Sequence, residues 1–171
     1  MPTTRQLTLA DLAEYRALRL EALEQTPEAF GSTLAREQAF TDADFAARLT
    51  GGVTIGAFRD NTLGGIASFY AEPGEKDRHK GRLVGMYVRP DLRGTGASRA
   101  LVEAVLAHAV NHVEQVHLDV VSTNRAARRL YETCGFTAYG TEPRSLKQAG
   151  RYFDSVMMVR FLGTGGAEAG V

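Results

Sequence analysis

Residues 83–101 constrain the fold more than any other stretch of the chain. An apolar segment, Leu83 to Val88, is followed by a turn containing Pro90 and then by the glycine-rich run 93–98. Apolar residues at helical spacing, starting at Leu101, predict that a helix begins almost directly after the glycines. A strand, a glycine loop and a helix N-terminus in this order gather free backbone N–H groups and the positive end of the helix dipole around one point. The segment therefore predicts a phosphate-binding turn.

Three phosphate-binding loops compete for this turn. The P-loop pattern G-x-x-x-x-G-K-[ST] occurs nowhere in the chain. The Rossmann pattern G-x-G-x-x-G fits Gly94 and Gly96 but meets Arg99 at its third glycine. The pyrophosphate loop of acetyl-CoA-dependent N-acetyltransferases, [QR]-x-x-G-x-[GA], fits in two phases. One phase uses Arg93 and Gly96, with Ser98 where Gly or Ala is usual, and the other ends on Gly94 and Gly96, with Asp91 where Gln or Arg is usual. A tight strand-to-helix turn without a ligand is the remaining alternative.

A second motif follows within residues 116–136, where a strand leads into N-x-x-A-x-x-L-Y-x-x-x-G-F. Its positions are all present, as Asn124, Ala127, Leu130, Tyr131, Gly135 and Phe136. Over residues 83–136, and more loosely to about residue 161, the chain closely resembles the GNAT superfamily of acetyl-CoA-dependent N-acetyltransferases. The resemblance implies an α/β fold with a mixed, mostly antiparallel sheet flanked by helices. Two parallel central strands would splay apart and receive the pantetheine arm of the cofactor.

The resemblance also implies which residues bind acetyl-CoA. Main-chain groups of the loop and helix start would contact the pyrophosphate, namely Arg93, Gly94, Thr95, Gly96, Ala97 and Ser98. Arg99 and Arg93 either add charge-assisted contacts or form a solvated helix end. The backbone of Met86, Tyr87 and Val88 would pair with the pantetheine amides. Asn124 and Ala127 complete the set, although Asn124 is equally well placed to cap a helix.

Tyr131 is the implied catalytic residue, because it matches the general-acid tyrosine of the family. A departing CoA thiolate has a conjugate-acid pKa of about 8.5, and a phenol of pKa about 10 can share or donate a proton to it. The alternative role for Tyr131 is aromatic packing beside Leu130. No motif identifies a general base; four residues qualify by type alone, namely Glu28, His79, Asp119 and Glu142.

Composition excludes several other classes of protein. The formal net charge is zero, which argues against nucleic acid as the main partner. The single cysteine, Cys134, excludes an internal disulfide and suits a reducing compartment. No apolar run is long enough for a signal peptide or a membrane span, so we expect a cytoplasmic protein without a membrane partner. His108 and His112 have metal-like spacing but no evident third ligand, so no metal site is predicted.

The chain is expected to form a single N-acetyltransferase domain over residues 1–162, with residues 163–171 as a disordered tail. Strands are predicted at 5–9, 53–58, 63–70, 82–88, 115–121 and 156–161, with a shorter one near 137–140. A hairpin turn is predicted at Arg59–Thr62. Helices are predicted from a cap at Asp11, over 34–49 with a fresh start at Thr41, and over 96–112 and 124–134.

The expected function is transfer of the acetyl group of acetyl-CoA to a primary amine by direct attack. A second possible enzyme activity differs only in the acyl donor or the acceptor. The alternative from another functional class is a non-catalytic module that binds acyl-CoA and serves as a sensor. A small free amine and a peptide N-terminus both remain open as acceptors. Glu21, Glu24 and Glu28 lie where this superfamily builds its acceptor site, and they fit either attraction of a cationic amine or a solvated helix face. A homodimer also remains open.

Overall fold

The apolar segments of the chain assemble into one seven-stranded sheet in a computed structural model, which describes residues 1–163. The strands are β1 Thr3–Gln6, β2 Val53–Arg59, β3 Thr62–Ala71, β4 Lys80–Val88, β5 Gln115–Val121, β6 Thr137–Gln148 and β7 Arg151–Phe161. The helices are α1 Leu12–Gln25, α2 Leu34–Gln38, α3 Asp42–Thr50, α4 Ala97–Ala109 and α5 Arg125–Thr133. The strand order is β1-β2-β3-β4-β5-β7-β6, and among the strand pairs of residues 1–163 only β4–β5 is parallel. The predicted mixed sheet with parallel central strands is confirmed.

Two apolar cores lie on opposite faces of this sheet. Ile66 and Ala67 are neighbours on β3 but belong to different cores, because successive side chains of a strand point to opposite faces. On one face, α4 and α5 pack through residues such as Leu101 and Tyr131. On the other face, α1 and α3 pack through residues such as Leu18 and Phe45. The helices therefore cover both faces of the sheet.

Local sequence signals predicted most helix starts correctly. Thr41 and Asp44 form the expected capping box at the start of α3, in which each side chain accepts a hydrogen bond from the other residue's backbone N–H. Asp11 occupies the N-cap position of α1, as predicted, but its side chain makes no capping hydrogen bond to that helix. The Asp11 carboxylate instead accepts hydrogen bonds from the backbone N–H of Thr8 and from the Arg5 guanidinium, so it closes the short 3₁₀ turn that precedes α1.

The final hairpin differs most from the expectation. β6 covers twelve residues instead of a short strand near 137–140, and β7 begins at Arg151. β6 lies at one edge of the sheet, most of its side chains are exposed, and it contains Pro143. An exposed edge strand needs no apolar alternation and tolerates a proline, so the sequence carried no signal for it. Ala149 and Gly150 form the two-residue turn with positive φ angles of 49° and 76°.

The first hairpin turn, in contrast, is confirmed. Asp60 and Asn61 have positive φ angles of 50° and 61°, and Arg59 pairs with Thr62. In the described part of the chain, no helix is long and apolar enough to cross a membrane. The single-domain prediction stays a prediction, and residues 164–171 of the expected tail lie outside the described residues.

Candidate active site

A gap opens between the two parallel strands β4 and β5. They pair only from Lys80–Gln115 to Arg82–His117, and the remainder of β4 has no strand partner on that side within the described part of the chain. On its other side β4 carries a bulge, where Gly85 and Met86 together oppose one residue of β3, and Gly85 has a φ of +64°. A bulge bends a strand and increases its twist. β4 thus diverges from β5 as far as Val88 and leaves the backbone edge of residues 83–88 exposed to the gap.

A cavity of about 610 Å³ occupies the wider end of this gap. Its walls come from β4, the loop before α4, the start of α5 and the segment after α1. Most residues predicted to bind the cofactor line it together, namely Met86, Tyr87, Val88, Arg93, Gly94, Ser98, Asn124, Ala127 and Tyr131. The cavity lining does not include Thr95, Gly96, Ala97 and Arg99.

The loop before α4 has the conformation that the glycines predicted. Gly94 and Gly96 have φ angles of +76° and +91°, which glycine adopts without strain, and Gly96 is the N-cap of α4. The first helical hydrogen bond runs from Ala100 N–H to the Gly96 carbonyl at 3.0 Å. The N–H groups of residues 97–99 therefore have no acceptor within the helix, which is the arrangement that binds anions. Apart from each glycine and its chain neighbours, no heavy atom of residues 1–163 lies within 4 Å of the position that a Cβ atom would take at either glycine.

Most side chains of this loop make contacts within the protein. Thr95 Oγ1 donates a hydrogen bond to the Leu92 carbonyl at 2.6 Å, and Ala97, the first residue of α4, is fully buried. Arg93 Nε donates to the Val88 carbonyl at 3.0 Å and so ties the loop to the end of β4. Arg99 is largely exposed and pairs with Glu103 at 2.7 Å, one turn along α4. Only the backbone of Thr95 and Ala97 can contribute to an anion site.

Asn124 caps α5, as its alternative role predicted. Its Oδ1 accepts a hydrogen bond from Ala127 N–H at 3.1 Å. Because Asn124 also lines the cavity, capping and contact with a ligand are compatible. The cap fixes where α5 begins, and hence where Tyr131 lies relative to the gap.

Tyr131 lies at the narrow end of the cavity and is 5% exposed. Its ring packs edge-on against Phe136, with centroids 5.9 Å apart. Burial raises the pKa of the Tyr131 hydroxyl well above its usual value of 10.0, and the nearby Cys134 acts in the same direction. The phenol is therefore neutral at every physiological pH and can act as a proton donor.

A passage of about 110 Å³ continues from Tyr131 between the strands. It shares Met86, Asn124 and Tyr131 with the first cavity, and Gly85 and Asp119 with a second cavity of about 700 Å³. Both large cavities thus share wall residues with this passage, which lies where β4 and β5 separate. This geometry allows two molecules to enter from different sides and meet beside Tyr131.

The second cavity contains an ion cluster that the sequence did not reveal. Glu37 is fully buried and accepts two hydrogen bonds from Arg19, both at 2.9 Å, and two from Arg48, at 3.0 and 3.2 Å. Burial alone would raise the pKa of Glu37, but the two guanidinium groups outweigh it and hold the pKa at about 2. Glu37 is therefore ionised at physiological pH.

The acidic residues near α1 do not form the second cavity. Glu21 accepts hydrogen bonds from the Arg89 guanidinium at 2.7 to 3.0 Å and from the Tyr87 hydroxyl at 3.1 Å. These contacts, with Arg89 foremost, lower the pKa of Glu21. Glu28 lines the first cavity, and none of Glu21, Glu24 and Glu28 lines the second. Across residues 1–163, no group of three or more His, Cys, Asp or Glu side chains is arranged to hold a metal ion.

Known proteins are similar to this chain in sequence and in fold. A mycothiol acetyltransferase from Thermobispora bispora is 41% identical over 86 residues, which are 48% of this chain and 29% of that protein. The chain thus spans less than a third of that relative's length. A GNAT-family acetyltransferase from Streptococcus pneumoniae has a TM-score of 0.83 at 22% identity, covering 95% of this chain and 100% of that one.

A GNAT superfamily phosphinothricin acetyltransferase from Sinorhizobium meliloti, solved in complex with acetyl-CoA, has a TM-score of 0.84 at 21% identity, covering 99% of this chain and 93% of that one. At these identities the structural likeness establishes the fold alone. Residues 15–136, well over half of the chain, match the family described as the acetyltransferase (GNAT) family. This match includes both sequence motifs and confirms the predicted resemblance: the chain belongs to the GNAT acetyltransferase family.

Proposed function

We propose that the protein transfers the acetyl group of acetyl-CoA to a primary amine by direct attack. The observation that carries the proposal is the position of Tyr131, which lines both the first cavity and the passage to the second. A proton donor at the junction of two cavities fits a reaction between two separately bound molecules. A purely structural tyrosine would not need to face both spaces.

We assign the first cavity to acetyl-CoA. The free N–H groups at the start of α4 and the open loop at Gly94 and Gly96 would receive the pyrophosphate. The unpaired edge of β4, at Met86 to Val88, would hydrogen-bond the pantetheine amides as a neighbouring strand does. Because these contacts are mainly with the backbone, Ser98 in place of Gly or Ala does not disturb them. The acetyl-CoA reported with the Sinorhizobium meliloti relative supports this assignment.

Acetyl-CoA supplies an activated acyl group, and the neutral amine nitrogen bonds to its carbonyl carbon as the carbon–sulfur bond breaks. The nitrogen, which is positively charged after attack, then loses one proton to water and leaves a neutral amide. Tyr131 then donates the phenolic proton to the departing sulfur. Free thiolate is a weaker base than the Tyr131 phenolate, so the phenol keeps its proton in the resting enzyme. Its transfer to sulfur is compensated when the positively charged nitrogen of the intermediate loses a proton. The Tyr131 oxygen recovers a proton from water when the products leave.

The acceptor amine must lose a proton before it attacks, because a lysine-type amine of pKa about 10.4 is almost wholly protonated at pH 7. The four residues that qualified as bases by type lie in different parts of the structure. Asp119 lines the passage and Glu28 lines the first cavity, whereas His79 and Glu142 line neither cavity nor the passage. We place the amine beside Asp119 and propose that its proton leaves to solvent through the open second cavity.

Two measurements test this function. Titration calorimetry should show one acetyl-CoA bound per chain, and the melting temperature should rise because acetyl-CoA binds only the folded state. A thiol-release assay with acetyl-CoA and a panel of amino acids, polyamines, aminoglycosides and peptides should then identify an accepted amine. Binding without transfer to any amine would favour the acyl-CoA sensor, and no binding at millimolar CoA would refute the cofactor assignment.

A further inference from the structure

The second cavity has an excess of positive charge. Four guanidinium groups and two carboxylates line it, from Arg19, Arg36, Arg48, Arg82, Glu37 and Asp119. Glu72 lies outside the lining but within 3.9 Å of the Arg82 guanidinium. Even when Glu72 is counted, the arginines exceed the carboxylates by one. Such a cavity repels a polycation and attracts a ligand that carries an anionic group.

One of these guanidinium groups is held rigidly and is only partly used. The side chain of Arg19 is 11% exposed, and its Nε and Nη2 atoms both donate to Glu37. Its Nη1 atom has no hydrogen-bond acceptor among residues 1–163. This atom lies 3.7 Å from the position that a Cβ atom would take on Gly85, in the wall of the passage. Arg19 thus presents a fixed, unsatisfied cationic donor where the second cavity narrows.

A carboxylate lines the same narrow region from the other strand. Asp119 lies on β5 and lines both the passage and the second cavity. Its Oδ2 accepts a hydrogen bond from Arg82 Nη2 at 2.9 Å, and within the described residues its Oδ1 has no donor. A cationic donor and a free carboxylate oxygen therefore both line the second cavity, and Asp119 also lines the passage. Together they are complementary to a molecule that carries an oxyanion and an ammonium group close together.

We propose that the acceptor is a small amine with an oxyanionic group beside the amino group, as in a free amino acid. This inference rests on the proposed acetyl transfer and names its substrate class. Arg19 binds the oxyanion, Asp119 binds the ammonium group, and the amine is thereby held at the passage that leads to Tyr131. Arg36 attracts the anion, because it is exposed at the cavity rim and has no acidic partner among residues 1–163. A peptide N-terminus lacks the adjacent oxyanion and is a poorer fit.

Matched substrate pairs test the proposal directly. Each of the common amino acids is compared with its carboxamide, which has the same shape but no negative charge, and kcat/KM is measured by thiol release. Because a hydrogen bond to a charged group contributes strongly, we expect the best amino acid to exceed its amide by about 10-fold to 100-fold. Amides, dipeptides or polyamines that are equal or better substrates would overturn the proposal.

A variant locates the preference at Arg19. Arg19→Gln should bring the ratio of amino acid to amide close to one. This ratio does not depend on how much of the protein is folded, since both substrates meet the same preparation. Arg151→Gln, far from the cavities on the last hairpin, should leave the ratio unchanged. An unchanged ratio in Arg19→Gln would contradict the assignment.

Should Arg19→Gln fail to fold, Arg36→Gln at the exposed rim serves as the second variant. It should lower the ratio by a smaller factor, about 2-fold to 5-fold, because solvent screens an exposed charge. A ratio unchanged in Arg36→Gln would then count against the proposal.

Equilibrium binding separates this proposal from acetyl transfer itself. If no amine is acetylated although acetyl-CoA binds, the proposed function fails, and the second cavity is tested by calorimetry on protein saturated with CoA. Binding of an amino acid at least 10-fold tighter than its amide would support the oxyanion site on its own. Equal affinities, or no binding of any amino acid at millimolar concentration, would overturn it.

Discussion

Replacing Glu37 with glutamine should destabilise the protein more than any surface charge change. The wild-type carboxylate is fully buried and accepts four hydrogen bonds from two guanidinium groups. Removing one partner of a buried ion pair costs about 3–5 kcal/mol, because the remaining charge stays buried without compensation. Arg48 keeps 34% of its side chain exposed and can be partly hydrated, which places the cost near the lower limit. We therefore expect a loss of about 3 kcal/mol.

Thermal unfolding measures this loss. For a chain of this size, about 3 kcal/mol corresponds to a melting temperature lower by roughly 6–12 °C. Glu103→Gln is the matched control, because Glu103 also pairs with an arginine, Arg99, but both side chains are more than half exposed. We expect the control to change the melting temperature by less than about 2 °C. Equal changes in the two variants would refute the role assigned to the buried cluster.

The same cluster makes stability depend on acidity. The folded-state pKa of Glu37 is about 2, whereas its usual value is 4.5. As pH falls, the unfolded chain binds this proton first, so the contribution of Glu37 is complete above about pH 5 and is lost between there and about pH 2. Urea unfolding of wild type and Glu37→Gln should therefore converge over that range. Asp11 titrates there too, but it is present in both proteins and cancels in the difference.

Two further substitutions test the cofactor loop and the core. Gly96→Asp should abolish acetyl-CoA binding in calorimetry, whereas Gly96→Asn should retain much of it. Both residues tolerate a positive φ, but only aspartate brings negative charge to the anion site. Equal binding by the two variants would place the pyrophosphate elsewhere. Gly56→Ala should cost about 1–3 kcal/mol in urea unfolding, since its Cβ would lie 2.5 Å from Leu7 and 2.7 Å from Leu63. Gly31→Ala, with open space around its Cβ, is the control and should be near neutral.

The features that the sequence predicted depend on residues close together in the chain. The loop at Gly94 and Gly96 and the cap at Asn124 are each encoded within a few positions, and the structure has both as expected. Their conformations follow from local rules on positive φ angles and orphan N–H groups. The parallel central strands, which bring the two motifs together, were implied by the resemblance and not by any local pattern.

The features that the sequence missed depend on distant partners or on exposure. Glu37 meets Arg19 across 18 positions and Arg48 across 11, so each residue looks like an ordinary solvated charge when taken alone. Glu21 was grouped with its acidic neighbours, yet its partner Arg89 is 68 positions away. β6 was underestimated because an exposed edge strand has no apolar pattern to detect. A charged residue at a position that helical spacing would bury is the one signal that could have identified Glu37.

Steady-state kinetics of Tyr131→Phe test the central claim most directly, once an accepted amine is known. The substitution keeps the ring and its packing against Phe136 and removes only the hydroxyl. General-acid catalysis contributes roughly 10²–10⁴-fold, so kcat should fall by about that factor while the dissociation constant of acetyl-CoA stays unchanged. Tyr139→Phe, whose exposed hydroxyl contacts His117 outside the cavities, should behave as wild type. A Tyr131→Phe enzyme with kcat within about threefold of wild type would contradict the account, because proton donation would then not need the tyrosine.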